Sequence, residues 1–346
     1  MRVLTLRELN RATLARQQLL ERRRVSPLRM IERLGGMQGQ WAPAPYVGLW
    51  SRVEGFRAET LERAVSRGEV LKPTVMPGTL HLVTARDYPI FFAALREYLW
   101  WADADSASIG ERAVRGLRKL YSNGAQPWRA GDEYLTSEHG VADELTRRRA
   151  WHVARIRAHV LHAPETALRR ANARTVFAAV AEPEAVDPLA ARVELVRRYL
   201  AAFGPASRAD IASWSGMRVR DFAPALDALE PLRRFADEDG HELIDLPRAP
   251  LPDADTPAPV RFLPKWDNVL LGFADRRRML SDEHRKGVVM KNGDVAQTFI
   301  VDGVVAGTWR AEKGRVALEP FAPLPRTVRR EAEDEAARLA EFLRRW

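Results

Sequence analysis

Cysteine is absent from the 346 residues. That removes a disulfide framework, a thiolate nucleophile and any Cys-ligated zinc. Histidine is scarce, seven in all, and no pair stands at HExxH spacing, so no metal site and no cofactor are expected. Long apolar runs are missing as well. Stretches such as VDGVVAG around Val304 fall far short of the roughly 20 residues a membrane span needs. The opening MRVLTLRELN has neither a hydrophobic core nor a cleavage site of the secretory kind. These absences point to the cytoplasm and away from membranes.

What is present is a soluble globular composition, 46% hydrophobic and 29% charged, with length enough for two to four small domains. The net charge is +9, and nearly all of the positive charge is arginine. Arginine forks phosphate bidentately and stacks on bases, which suits a nucleic-acid partner. A GC-rich genome gives the same enrichment, so charge alone does not decide.

Signals along the chain fall into an order. Thr5-Leu6-Arg7-Glu8 forms a capping box opening a helix to about Leu20, and Ser26-Pro27 opens a second with Leu28, Ile31 and Leu34 on one stripe. A helix over Thr60 to Ser66 precedes extended runs at Val70–Val75 and Thr79–Val83, turned by Met76-Pro77-Gly78. Thr84 to Asp87 reads as another box, opening a helix through Tyr98. Helices follow at Glu111–Tyr121, Asp132–Glu138 and Val141–Arg157, with strands at Val160–His162 and Arg174–Val180 around an Arg-rich tip of Arg169, Arg170 and Arg174. A third copy is plainer: Val193–Ala202, a Ser207–Asp210 cap, the Ser215-Gly216 turn, Val219–Leu229, then Leu232–Ala236 and His241–Leu246 joined by an Asp-Gly hairpin. Short helix, glycine turn, helix and hairpin are the outline of a helix-turn-helix with a wing. PRAPLPDADTPAP, from Pro247 to Pro259, is a stiff linker. Short β runs beyond it, among them Val288–Met290, predict a small antiparallel sheet or barrel, closed by an amphipathic helix from Arg326 to Trp346.

One stretch stands apart: LGGMQGQWAPAPYVGLWSR, from Leu34 to Arg52. It is too rich in Pro and Gly for regular structure and too aromatic for a solvated loop. Gln38 and Gln40 flank Gly39. An amide pair in a proline-stiffened loop suits positioning a water or a polarised ligand; a buried loop whose amides bond backbone groups accounts for the same residues.

LTLRELNRATLARQ, MQGQWAPAPYVGLWSR, MPGTLHLVTARD, LVRRYLAAFGPASRADIASWSG, FLPKWDNVLLGFADR and NGDVAQTFIVDGVVAGTW together resemble the AlkZ-like winged-helix DNA glycosylases, almost end to end. That family removes bulky alkylated purines and unhooks interstrand crosslinks. Its signature is Gln–apolar–Gln; here Gln38-Gly39-Gln40 keeps both glutamines with Gly between them. The resemblance implies an α+β fold of three tandem winged-helix units at 1–83, 84–182 and 183–248, a linker at 249–259 and a β-barrel with a C-terminal helix at 260–346, C-shaped around a basic channel. It implies a monofunctional glycosylase acting on double-stranded DNA carrying N7-alkylated guanine, with Gln38 and Gln40 catalytic, monomeric and nucleoid-associated in a bacterial cytoplasm. Arg52, His81, Arg169, Arg170, Arg174, Trp266, Asn268 and Arg276 are the candidate DNA contacts; a surface salt bridge equally suits Arg52, a lone histidine on an apolar strand such as His81 is more often a satisfied core residue, and the arginine tip equally suits a solvated loop. Lys265 and Asp267 share a family motif with Trp266 and Asn268, and Asp267 equally suits a turn cap. A non-catalytic winged-helix DNA binder or regulator is the rival expectation.

Overall fold

The structure, a computed structural model, describes residues 1–168 and 175–345. Helix starts follow the sequence signals closely. The Thr5/Glu8 capping box is formed on the helix Leu6–Arg16, Ser26 caps Pro27–Arg33, and Ser207/Asp210 form a second box on Arg208–Ser215. Each satisfies backbone N–H groups that the first helical turn leaves without partners. The turn at Gly216 has φ +79°, a conformation that a side chain would strain.

The fold is mixed α+β, built from helical segments that each return to a small sheet. In the first, Met37–Gln38, Val70–Leu71 and Thr74–Val75 all pair with Thr79–Thr84. In the second, the helices Ala104–Ser122, Trp128–His139 and Glu144–Arg157 meet strands Gln126–Pro127, Val176–Ala179 and Val160–His162. In the third, Pro188–Phe203, Arg208–Ser215 and Val219–Asp227 precede the hairpin Arg233–Ala236 and Glu242–Asp245. The chain start joins this third sheet: Arg2–Val3 pairs in parallel with Arg233–Ala236, and Leu4 and Leu9 bury against Phe235 and Leu243.

Four expectations are corrected. The C-terminal strands Arg261–Leu263, Thr298–Val301, Val304–Glu312 and Arg315–Pro320 run in one line, with no pairing that closes them, so they are an open sheet. Four strands of such length are too few to curl shut, and the helix Arg326–Arg345 covers the sheet instead, burying Ala332, Ala336 and Leu339 against Phe262, Phe299 and Trp309. Val288–Met290 is no strand: a short helix, Arg285–Val288, leads into a single bridge between Val289 and Val295. The box at Thr84 is not a helix cap. The helix Tyr88–Leu95 starts three residues later than a cap at Thr84 would place it, with Asp87 in the cap position, and Thr84 Oγ1 accepts from the Asp87 N–H at 3.3 Å. Finally, the glutamine stretch is largely regular. Met37–Gln38 is strand and Ala44–Arg52 is helix; Pro43 and Pro45 lie at its start, where a missing N–H costs nothing.

The linker is pinned. Arg7 Nε, Arg11 Nε and Arg16 Nη2, all from the first helix, donate to the carbonyls of Ala254, Thr256 and Pro250 at 2.7–2.9 Å. Arg16 also forks the buried Asp245 at 2.7 and 2.8 Å. One helix therefore ties the third sheet, the linker and the C-terminal sheet together.

Candidate active site

The site is a strand edge followed by a turn. Gln38 pairs across from His81, and the Gly39 N–H donates to Leu80 O at 2.8 Å. Side chains alternate along extended backbone, so Gln38 and Gln40 share a face and Gly39 looks the other way. Gln38 is 4% exposed, and Gln40 above it faces solvent. The two amides close on each other. Gln38 Oε1 accepts from the Gln40 backbone N–H at 2.8 Å, and Gln38 Nε2 donates to Gln40 Oε1. Each of the two side-chain oxygens keeps a second lone pair. No carboxylate contacts either amide among the described residues, so the pair is a neutral acceptor site.

Behind the turn lies Lys72. A Cβ built on Gly39 would stand 3.5 Å from Lys72 Cε, ordinary contact distance, so the lysine stem fills the space beneath the turn. Its ammonium donates to Ala167 O at 2.8 Å, and burial brings its pKa down to about 8. Sequence reasoning missed this residue. Lys72 lies between two strands of two residues each, and only the tertiary fold brings it under Gly39.

The turn is held by the C-terminal part of the chain. Asn268 Nδ2 donates to Gly36 O at 2.7 Å and Leu34 O at 3.3 Å, and its Oδ1 accepts from the Gln38 N–H at 3.4 Å. Beside it, Arg52 forks Asp267 at 2.7 and 2.9 Å and also donates to Gln17 O and Gly48 O. Asp267 in turn caps the short helix Asn268–Leu271 through Val269 N–H. Ser51 Oγ donates to Phe262 O, and Gly48 lets Met37 and Pro264 approach, a Cβ there standing 2.7 Å from Met37 Cε.

Several expected DNA contacts change role. Arg52 is 0% exposed and fully engaged, so it is a structural ion pair and cannot reach a phosphate. His81 is buried, its Nδ1 3.2 Å from Thr79 O, and burial lowers its pKa to about 4. It is a neutral ring under the Gln38 strand, not a groove contact. Asn268 points inward to the turn. Trp266 is half-buried and donates through Nε1 to Gly293 O at 3.1 Å, with Lys265 over its ring and bonded to Asp294 at 2.7 Å. Arg276 is half-buried, its Nε without a partner among the described residues, and no contact connects it to the glutamines. Arg169, Arg170 and Arg174 lie outside the described residues.

The strand edge thus presents two interlocked amides with no carboxylate bonded to them among the described residues. A sequence model of the family described as DNA glycosylase AlkZ-like matches residues 31–342, and the chain belongs to that family. It is therefore an enzyme, a DNA glycosylase, and the expectation of a non-catalytic regulator falls. Among curated proteins it is 24% identical over 358 residues to the interstrand DNA cross-link repair glycosylase of Streptomyces sahachiroi, covering 94% of this chain and 93% of that one. Among solved structures the Streptomyces sahachiroi DNA glycosylase AlkZ superimposes with a TM-score of 0.81 at 18% identity, covering 98% of this chain and 97% of that one. That likeness establishes the shared fold. No helix among the described residues is long and apolar enough to cross a membrane.

Proposed function

We propose that the chain hydrolyses the N-glycosidic bond of bulky N7-alkylated guanine in duplex DNA, with Gln38 and Gln40 as the catalytic pair. The observation that carries this reading is the mutual locking of the two amides on a strand edge that Asn268 anchors. An amide is too weak a base to take a proton and too weak a nucleophile to form a covalent intermediate. Guanine alkylated at N7 needs neither, because it is already cationic and departs without protonation. What remains is to place water at the sugar C1′ and to stabilise an oxocarbenium-like centre. The free lone pairs of Gln38 Oε1 and Gln40 Oε1 suit both tasks, acting as fixed dipoles. Neutral guanine would not leave this way, so undamaged DNA is rejected by chemistry.

On this reading the three helix-and-sheet segments act as winged helices lining a basic channel, and the protein works as a monomer. The relative's name extends the substrate to interstrand crosslinks. A crosslinked base is held by both strands and is hard to swing out, so access through a groove fits better than a flipping pocket. The test is incubation of the purified protein with N7-alkylguanine DNA. Released alkylguanine together with an alkali-labile abasic site is expected; an intact glycosidic bond overturns the reading. Binding should weaken steeply with salt between roughly 50 and 200 mM, as phosphate neutralisation requires.

A further inference from the structure

Trp100 is 74% exposed, and the next most exposed Trp, Tyr or Phe among the described residues, Trp128, is 38% exposed. Exposure alone carries little, since single apolar side chains are common on surfaces. What sets Trp100 apart is how it is held and where. It lies between the helices Tyr88–Leu95 and Ala104–Ser122, and its Nε1–H donates to Pro77 O at 3.1 Å. Met76, Pro77 and Gly78 turn the hairpin between Thr74–Val75 and Thr79–Thr84. Gly78 has φ +81°, and a Cβ there would stand 3.1 Å from Trp100 Nε1 and 3.3 Å from Trp101 Nε1, so both indoles lie against the hairpin tip. Trp101 is half-buried, edge-on to the His152 ring at 5.7 Å. The Gly216 turn of the third segment also closes on the tip, a Cβ there standing 3.1 Å from Pro77 Cβ. The same hairpin sets the register of the glutamine turn. Met37 pairs with Leu82, Gln38 with His81, and the Gly39 N–H bonds Leu80 O. One step further, Gln40 comes out level with Thr79, next to Gly78. With about 3.3 Å per residue along a strand and about 4.8 Å between strands, the indole's contacts on the tip lie within about 10 Å of Gln40.

We propose that Trp100 stacks into the DNA beside the lesion, standing in for a neighbouring base while the damaged nucleotide's sugar is at the glutamines. The inference rests on the glutamine site proposed above and adds a positioning residue to it. Gln38 is nearly flush with the protein at 4% exposed, so the sugar has to be drawn to the strand edge, which an intact base stack resists. Opening a base step costs stacking, and proteins in the minor groove recover that cost by wedging an apolar side chain into the step. An indole does so whatever the sequence, because every base has a π-face, and damage has no fixed sequence context. The bond to Pro77 O orients the ring before DNA arrives, so little rotamer freedom is lost on binding. A wedge also opens a step without extruding a base, which suits a lesion held by both strands.

The experiment compares an intact duplex carrying N7-methylguanine with duplexes in which the base 5′ or 3′ to the lesion is replaced, in turn, by a tetrahydrofuran, so that the step is already open. Affinity and single-turnover excision are measured for the wild type, Trp100→Ala and Trp100→Phe. Stacking on aromatic side chains contributes about tenfold in affinity per base. The wild type should therefore bind one of the gapped duplexes about tenfold tighter than the intact one, and Trp100→Ala should lose that preference. Trp100→Ala should also excise about tenfold more slowly from the intact duplex and within about threefold of wild type from the favoured gapped one. Trp100→Phe keeps a stacking face but not the bond to Pro77 O, and should stay within about threefold of wild type on both. A preference for gapped DNA that survives Trp100→Ala, an equal loss on intact and gapped duplexes, or a Phe variant as poor as Ala overturns the proposal and leaves Trp100 as a prop for the hairpin tip. If the wild type cleaves no probe, the glutamine reading fails, and the affinities, which need no cleavage, decide Trp100 alone.

Discussion

The side chain of Asn268 reaches across 230 residues of sequence to the Gln38 turn, accepting from the Gln38 N–H at 3.4 Å while donating to Gly36 O at 2.7 Å. The glutamine turn is thus set by the C-terminal part of the chain as much as by its own sequence. Asn268→Ala should leave two carbonyls and one N–H short of a partner, a loss of about 1–3 kcal/mol. Excision should fall by about tenfold, since a misplaced dipole stabilises the transition state less, while DNA affinity stays near wild type. Asn268→Asp separates the roles: it keeps the acceptor for Gln38 but cannot donate to Gly36 and Leu34. It should be no better than Ala. An Asp variant with wild-type excision, measured under single turnover beside urea melts, would show that the two donated bonds are dispensable.

The Arg52–Asp267 pair invites a second test. Both groups are buried and bidentate. Breaking such a pair from one side strands a buried charge and costs about 3–5 kcal/mol, whereas removing both charges is far milder. Arg52→Met should therefore destabilise more than the double replacement Arg52→Met with Asp267→Asn, in a urea double-mutant cycle. Were Arg52 a phosphate contact, Arg52→Met would instead keep its stability and lower the salt slope of DNA binding by about one; that result contradicts the buried-pair assignment.

Acid sensitivity follows from the histidines. Burial lowers the pKa of His81 and His159 to about 4 and that of His152 to about 3, and pushes His162 lower still. Nearby cations add to the burial at His152, His159 and His162: Arg155 for the first, Arg118 for the second, Lys72 and Arg155 for the third. The unfolded chain takes up these protons near pH 6.5 and the folded chain does not, so the unfolded state binds more protons below that point. Stability is fully present above about pH 6.5 and is lost as pH falls toward 4, each group contributing up to about 1.4 kcal/mol per pH unit. Urea midpoints measured between pH 7 and 4.5 should drop steeply, and His152→Gln should shallow the slope. A flat profile across that window would mean these rings protonate in place.

Local signals were legible in the sequence wherever a backbone rule applies within a few residues. The Thr5 and Ser207 boxes, the Gly216 turn and the strand Val160–His162 stand where their residue types place them. The glutamine stretch misled for a physical reason: Pro43 and Pro45 read as helix breakers, yet at a helix start proline is compatible with the first turn. The barrel expectation failed because alternation and Gly turns specify strands and hairpins, while closure depends on how many strands meet. At the site, the identity of the Gln38–Gln40 pair was visible as a motif, but its supports were not. Asn268, the Arg52–Asp267 fork and Lys72 beneath Gly39 are long-range contacts with no periodic or spacing signature, and an arginine reads as a phosphate ligand until its burial is known.

Single-turnover excision of N7-alkylguanine from duplex DNA by Gln38→Ala, Gln40→Ala and the double variant decides whether the two amides do the chemistry. Each single replacement should slow release by about 10²-fold, near 2.7 kcal/mol, with DNA affinity little changed. Because both act on one water, the double variant should be far less than additive, and the wild-type rate should show no limb near pH 4, where an essential carboxylate would titrate. Normal excision by both single variants, or a carboxylate variant elsewhere that abolishes release while binding persists, would contradict the assignment and leave Gln38 and Gln40 as a well-packed turn.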